Sequence, residues 1–436
     1  MGNNDQYYLK VYTDKSELVG TSGSEVFIEG DMTDEAKGRY REIQDQLENG
    51  YLRELIESLL ENAETGSVYH LEDYPKMIIT KMVDSITSEV GRAIVGLSVM
   101  QLVVKSISPE QSIRLHKGGG GIRNFSWTEG ISMRSLDKRY ITPMLRKYDL
   151  IRLNADGFMM TRSLAENYPY SKVYKANLRG AREEWLELVE LIESGKIDSL
   201  EALKYLLSLL INRADHFNKM ANSTLEVLKT VVGSGLNKKK VEDLINTHIT
   251  QSDYAARLME VSMHSLMQAL YELKVFVGGE LKPLSQMRSA NKKHGNVGDI
   301  EILVDSEIIE SWDAKFGKSY LRDEIEELAE KLKKHESVKI AGFVTDSTPE
   351  RLDEISRRIS EIEELHGVRI LIREYQTWVD EQYERAMQEV NATEEEISQI
   401  WITAYVESIA QKRRDIAPID EPCHSWLEGL NNLLQS

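Results

Sequence analysis

Two aspartates fourteen positions apart, Asp299 and Asp313, with Lys315 two residues beyond the second, are the residues of this 436-residue chain best suited to chemistry. If the chain between them folds back around Asp305 and Ser306, the carboxylates face each other across an antiparallel pair, with Cβ atoms about 5 Å apart. Two hard oxygen donors at that separation suit one Mg²⁺ ion, with water and phosphate oxygens completing its shell. Side chains alternate along a strand, so Asp313 and Lys315 share one face while Trp312 and Ala314 point to the other. Phosphodiester hydrolysis needs an acidified water, a positive clamp on the phosphate and a stabilised leaving oxygen. A carboxylate-held metal beside an ammonium supplies these. Glu301 is expected on the face of Asp299. The plain alternative is that Asp313 and Lys315 are rim charges of a structural sheet, since an Asp-x-Lys tripeptide is common in acidic proteins.

The elements that must hold these residues follow from a change of period after about residue 250. A helix at 253–273 precedes a polar loop, strands at 299–304 and 308–315, a helix at 321–335, a strand at 338–344, a helix at 349–366 and a strand at 368–372. Helices of this length between strands predict an α/β or α+β core around a mixed sheet. The tail from Thr393 reads as helical, with no function assigned to it.

That order, with Gly298-Asp299, a hairpin, apolar Ile308-Ile309 and then Asp313-Ala314-Lys315, resembles the PD-(D/E)XK nuclease core of many type II restriction endonucleases, over roughly 253–372. The resemblance implies that Asp299 and Asp313 are metal ligands, that the Ala314 carbonyl is a further one, and that Lys315 orients or activates the attacking water. It also implies a helix carboxylate, for which Glu272 is the first candidate and Glu260 the reserve. Gly298 stands where the family carries its proline, and Asp313 where glutamate is commoner.

The net charge of −18 argues against a nucleic-acid partner only when averaged over the chain. Between 111 and 180 thirteen basic side chains meet five acidic ones, a local charge of +8. Within that stretch a basic helix at 136–148 runs into an apolar pair of short strands around Asn154-Ala155-Asp156-Gly157. A helix followed by such a hairpin resembles the recognition helix and wing of winged helix-turn-helix domains. Pro143 should kink or shorten the helix. The expected DNA contacts are Arg123, Lys138, Arg139, Arg146, Lys147, Arg152 and Arg162. The donor-rich loop before Asp299 adds Arg288, Asn291, Lys292 and Lys293, and Lys318 lies just past the motif. The alternative is a solvated basic face, or one that binds acidic helices of the same chain. Gly118–Gly121 lacks the lysine and strand context of a phosphate-binding loop and reads as a turn.

The expected fold class is thus an α+β multidomain chain. It comprises a helical N-terminal region (1–86) after a strand-like start at 7–12, a winged helix-turn-helix (87–180), a helical connector (181–250), a restriction-endonuclease-like α/β core with a central mixed sheet (251–385) and a C-terminal helical segment (386–436). The one cysteine, Cys423, excludes an internal disulfide. The apolar run 93–104 is too short to span a bilayer, and the N-terminus lacks a signal-peptide pattern, so a cytoplasmic location is expected. The expected activity is site-specific, Mg²⁺-dependent cleavage of double-stranded DNA by a homodimer, with a companion DNA methyltransferase. The alternatives are a winged-helix regulator with an inactive nuclease-like domain, and a methylation-directed or repair nuclease.

Overall fold

The computed structural model describes residues 7–20, 23–61, 69–87, 91–117, 125–151, 157, 167–284, 295–412 and 422–435. The chain forms two compact units, 1–216 and 217–436.

The first unit opens with three antiparallel strands, β1 (Tyr8–Val11), β2 (Lys15–Gly20) and β3 (Gly23–Ile28), in that order across the sheet. Only a single strand-like start was expected here. In β3 only Phe27 is buried, so the strand lacks the alternation that would have marked it. Leu18 and Phe27 pack with Leu115 and Trp127. The helical N-terminal region expected here begins with α1 (Asp34–Glu48) and α2 (Tyr51–Glu61). Thr33 caps the first by accepting from Ala36 N at 3.1 Å, and Gly50, at φ +97, takes the left-handed conformation that separates them. After α3 (Asp73–Asp84) comes α4 (Arg92–Ile107), apolar on nearly every side and buried along its length. Its large buried polar side chain, Gln101, is satisfied by the Ile113 carbonyl (2.9 Å) and the Trp185 indole N–H (2.8 Å).

The basic helix is continuous but not regular: α5 (Met133–Leu136), a π-helical turn (Asp137–Ile141) and α6 (Thr142–Lys147). Pro143 sits in the first turn of α6, directly after the π turn. The irregularity expected at Pro143 takes the form of this wider turn. The expected wing falls almost entirely on 152–156 and 158–166, outside the described residues. Next come α7 (Arg182–Glu193), which packs on α3 and α4, and α8 (Ser199–Gly233). Leu203, Leu206, Leu207 and Leu210 of α8 belong to the first unit's core, and Phe217, Ala221 and Leu228 to the second's, so 181–250 forms part of both cores.

The second unit runs α9 (Lys238–Gln251), α10 (Ala255–Glu272), β4 (Gly279–Leu281), β5 (Ile300–Val304), β6 (Glu307–Lys315), α11 (Arg322–Leu332), β7 (Ile340–Thr345), α12 (Leu352–His366), β8 (Arg369–Glu374), α13 (Tyr375–Val390), α14 (Glu394–Glu407) and α15 (Cys423–Gln435). The strands form one mixed sheet in sequence order; β4, β5 and β6 pair antiparallel, and β6, β7 and β8 pair parallel. Ile300, Ile302, Trp312 and Val344 cluster with α10 and α13 side chains, while Ala341, Phe343 and Ile370 cluster with α11 and α12. Helices therefore cover both faces. Trp401, Tyr405 and Trp426 from α14 and α15 lie in the α10 core, so the C-terminal segment is part of this unit's interior.

Candidate active site

The hairpin between β5 and β6 turns over at Asp305 and Ser306, with φ 50 and 68, the positive angles that suit a two-residue turn to twisted strands. A regular ladder counted back from the pair Val304 and Glu307 would set Trp312 opposite residue 299. It does not continue so far. A bulge between Ile302 and Leu303 leaves Ile309 unpaired, and beyond it Ile302 faces Glu310 and Ile300 faces Trp312. The next step sets Asp299 across from Asp313. Asp299 N donates to Trp312 O (2.9 Å), and Ala314 N donates to Asp299 Oδ2 (3.0 Å). Lys315 Nζ lies 2.8 Å from Asp313 Oδ2.

Gly298 has a local reason to replace the proline of the resembled motif. A Cβ there would come within 2.6 Å of Ser311 Oγ and 2.7 Å of Trp312 O, and Gly298 N donates to Glu301 Oε1 at 3.3 Å. A proline brings the Cβ and loses the donor.

The electrostatics follow from proximity and burial. Withdrawal from water pushes the Asp299 carboxyl well above the usual aspartate range, the negative charges of Asp313 and Glu260 push it further, and Lys315 opposes them. For Lys315, burial favours the neutral amine, but Asp313, then Asp299 and Glu324, outweigh it and the ammonium is raised.

The helix carboxylate that reaches Asp299 is thus Glu260, the reserve candidate. Glu272, the first candidate, is exposed and accepts from Gln268 Nε2 at 2.9 Å. Twelve residues of α10 rise about 18 Å, too far for both ends to meet one site. Glu301 departs from expectation differently. It shares the register of Asp299, but both its oxygens are taken: Oε1 by Val297 N (2.5 Å) and Gly298 N, Oε2 by Lys282 Nζ (2.6 Å).

A cavity of about 160 Å³ opens beside the pair, lined by Gly298, Ser311, Asp313, Lys315, Glu324 and Lys331 among others. Glu324 pairs with the exposed Lys318 at 3.1 Å. Sequence reasoning missed Glu324 of α11, Ser311 of β6 and Lys282 just after β4; no spacing marks them. Among the described residues no three His, Cys, Asp or Glu side chains stand ready as a metal cage. The donor set nevertheless fits a hard dication. Two carboxylates oppose each other in a site that withholds water from them, and the buried Ser311 Oγ has no hydrogen-bond partner in the protein.

In the first unit Lys138, Arg139, Arg146 and Lys147 are all exposed along α6 and the π turn before it. Acidic helices touch the same face: Tyr140 OH donates to Glu48 and Tyr148 OH to Glu57. Arg123, Arg152, Arg162, Arg288, Asn291, Lys292 and Lys293 lie outside the described residues. No helix among the described residues is long and apolar enough to cross a membrane. No protein-family model and no curated protein matches the chain.

Proposed function

We propose that the second unit is a Mg²⁺-dependent nuclease that hydrolyses phosphodiester bonds of double-stranded DNA, with a core of the PD-(D/E)XK type. The bulged hairpin carries this reading, because it sets Asp299 against Asp313 with Lys315 alongside. The order α10-β4-β5-β6-α11-β7, and a mixed sheet covered on both faces, support the resemblance.

Asp299 and Asp313 would hold the ion, with the carbonyl of Ala314, the residue after Asp313, as a further ligand and Glu260 nearby on α10. When bound, the ion supplies charge to the phosphate and acidity to a water. The protein's own share is positional and electrostatic. Ala314 N fixes one Asp299 oxygen, leaving the other toward Asp313. Lys315, kept as an ammonium by its carboxylate neighbours, acts as a donor and positive charge at the phosphate and not as a base. The exposed basic helix of the first unit attracts the DNA backbone, as a winged helix would, and cutting both strands of a palindromic site calls for two copies. A companion methyltransferase would protect the host's own sites.

The test is incubation of the purified chain with unmodified and methylated DNA, with Mg²⁺ or EDTA, beside Asp313→Ala. Discrete fragments needing both Mg²⁺ and Asp313 are expected. Tight binding with intact DNA on both substrates would replace this reading with a DNA-binding regulator, and cutting of methylated DNA alone would make it a methylation-directed nuclease.

A further inference from the structure

Glu301 is 1% exposed, yet it carries a carboxylate two residues from Asp299. A buried charge is costly unless it is paired and fully hydrogen-bonded, and Glu301 is both. Its partners are informative. Val297 N and Gly298 N converge on Oε1, and Lys282 Nζ on Oε2. The same ammonium donates to Asn296 Oδ1 at 2.9 Å, and Lys282 N donates to the Glu301 carbonyl at 3.0 Å. The three residues immediately before Asp299 are therefore all tied to one ion pair between β4 and β5.

The reason for such a clamp lies in the pair it precedes. Asp299 and Asp313 repel each other when both are ionised, and the segment carrying Asp299 lies outside the regular ladder of β5, where a bend could let it swing away. We propose that Glu301 is a positioning residue that clamps Val297 and Gly298 through their amides, its charge balanced by Lys282, and so holds Asp299 against Asp313 before a cation arrives. The inference rests on the nuclease reading of that pair.

The experiment uses the full chain as wild type, Glu301→Gln, and Glu301→Gln combined with Lys282→Met. Mn²⁺ binding is followed by calorimetry, Mg²⁺-dependent DNA cleavage by gel, and folding by thermal melting. Glutamine cannot serve both sides: if its oxygen keeps the two amides, its NH₂ meets the Lys282 ammonium. Glu301→Gln is expected to weaken Mn²⁺ binding about 10- to 100-fold, the range for groups that orient metal ligands. Replacing Lys282 by methionine removes the conflict, and the double variant should return to within about threefold of wild type. A ligand role for the Glu301 charge predicts no such rescue. Wild-type affinity in folded Glu301→Gln, or a double variant as weak as the single one, overturns the clamp. If Glu301→Gln does not fold, the double variant decides alone by the same criterion. Should the wild type neither bind Mn²⁺ nor cut DNA, the nuclease reading fails, and the clamp is then read by amide hydrogen exchange at Val297 and Gly298. Exchange that quickens in Glu301→Gln supports it, and unchanged exchange overturns it.

Discussion

The basic helix of the first unit and the carboxylate pair of the second use charge in opposite ways. Lys138, Arg139, Arg146 and Lys147 are exposed, so water and salt screen each of them, and they act through their sum at long range. Asp299 and Lys315 are withdrawn from water and are shifted by their charged neighbours, and hydrogen bonds fix Asp299 and Glu301 individually. Exposed charge attracts a polyanion without needing precise placement; buried charge can activate a bond but must be held. Substitutions should therefore behave additively and mildly in the first region, and severely and position by position in the second.

The largest expected effect is that of Asp313→Ala, which should lower Mg²⁺-dependent cleavage by on the order of 10³-fold or more while leaving DNA binding in EDTA intact. Parallel loss of binding would show that the two regions are not separable. Next, Glu260→Gln should reduce cleavage by roughly 10- to 100-fold, as a group acting beside a metal site, and Glu272→Gln should leave it unchanged. Steady-state rates on one plasmid decide it, and equal effects would erase the distinction drawn along α10. In the exposed region, Arg146→Glu with Lys147→Glu should weaken DNA binding about tenfold at moderate salt and reduce the salt slope by about 2. Filter binding from low to high salt measures both, and an unchanged slope would mean that this face does not meet phosphate.

The smallest effect concerns stability and carries a definite sign. The folded-state pKa of Asp299 is raised, so the unfolded chain releases this proton first as pH rises. The stabilisation that its protonated form gives is full below the ordinary aspartate range and is lost as pH climbs through the raised value. In EDTA at neutral pH, Asp299→Asn should therefore melt about 2–4 °C above wild type, and the gain should shrink toward pH 4. A gain that grows in acid would mean that the carboxylate is not destabilised by burial and by Asp313.

Much of the second unit was legible because its signals are local. The alternation of Asp313, Ala314 and Lys315 is a strand period, the turn at Asp305 and Ser306 was read from residue type, and the α11, β7, α12 and β8 spans follow hydrophobic periodicity. The first unit was less so. β2 and β3 carry weak alternation, and the π turn that accommodates Pro143 has no sequence signature. The C-terminal helices were readable as helices but not as core, since the partner of an amphipathic face lies elsewhere in the chain.

The sequence by itself determined which residue types stand two apart on a strand, where that strand turns back, and that hard oxygen donors and an ammonium would share one face. Only the tertiary structure decided that they meet. A two-residue turn alone would have put Trp312 opposite residue 299, and one unpaired residue, Ile309, shifts the register so that Asp313 stands there instead. It decided also that Glu260 and not Glu272 reaches the site, and that Glu301 takes the amides of Val297 and Gly298. The physical reason is common to all three. Side-chain alternation and turn geometry are set within a few residues, whereas a bulge, the docking depth of a helix and the partner of a buried charge are set by packing against distant segments.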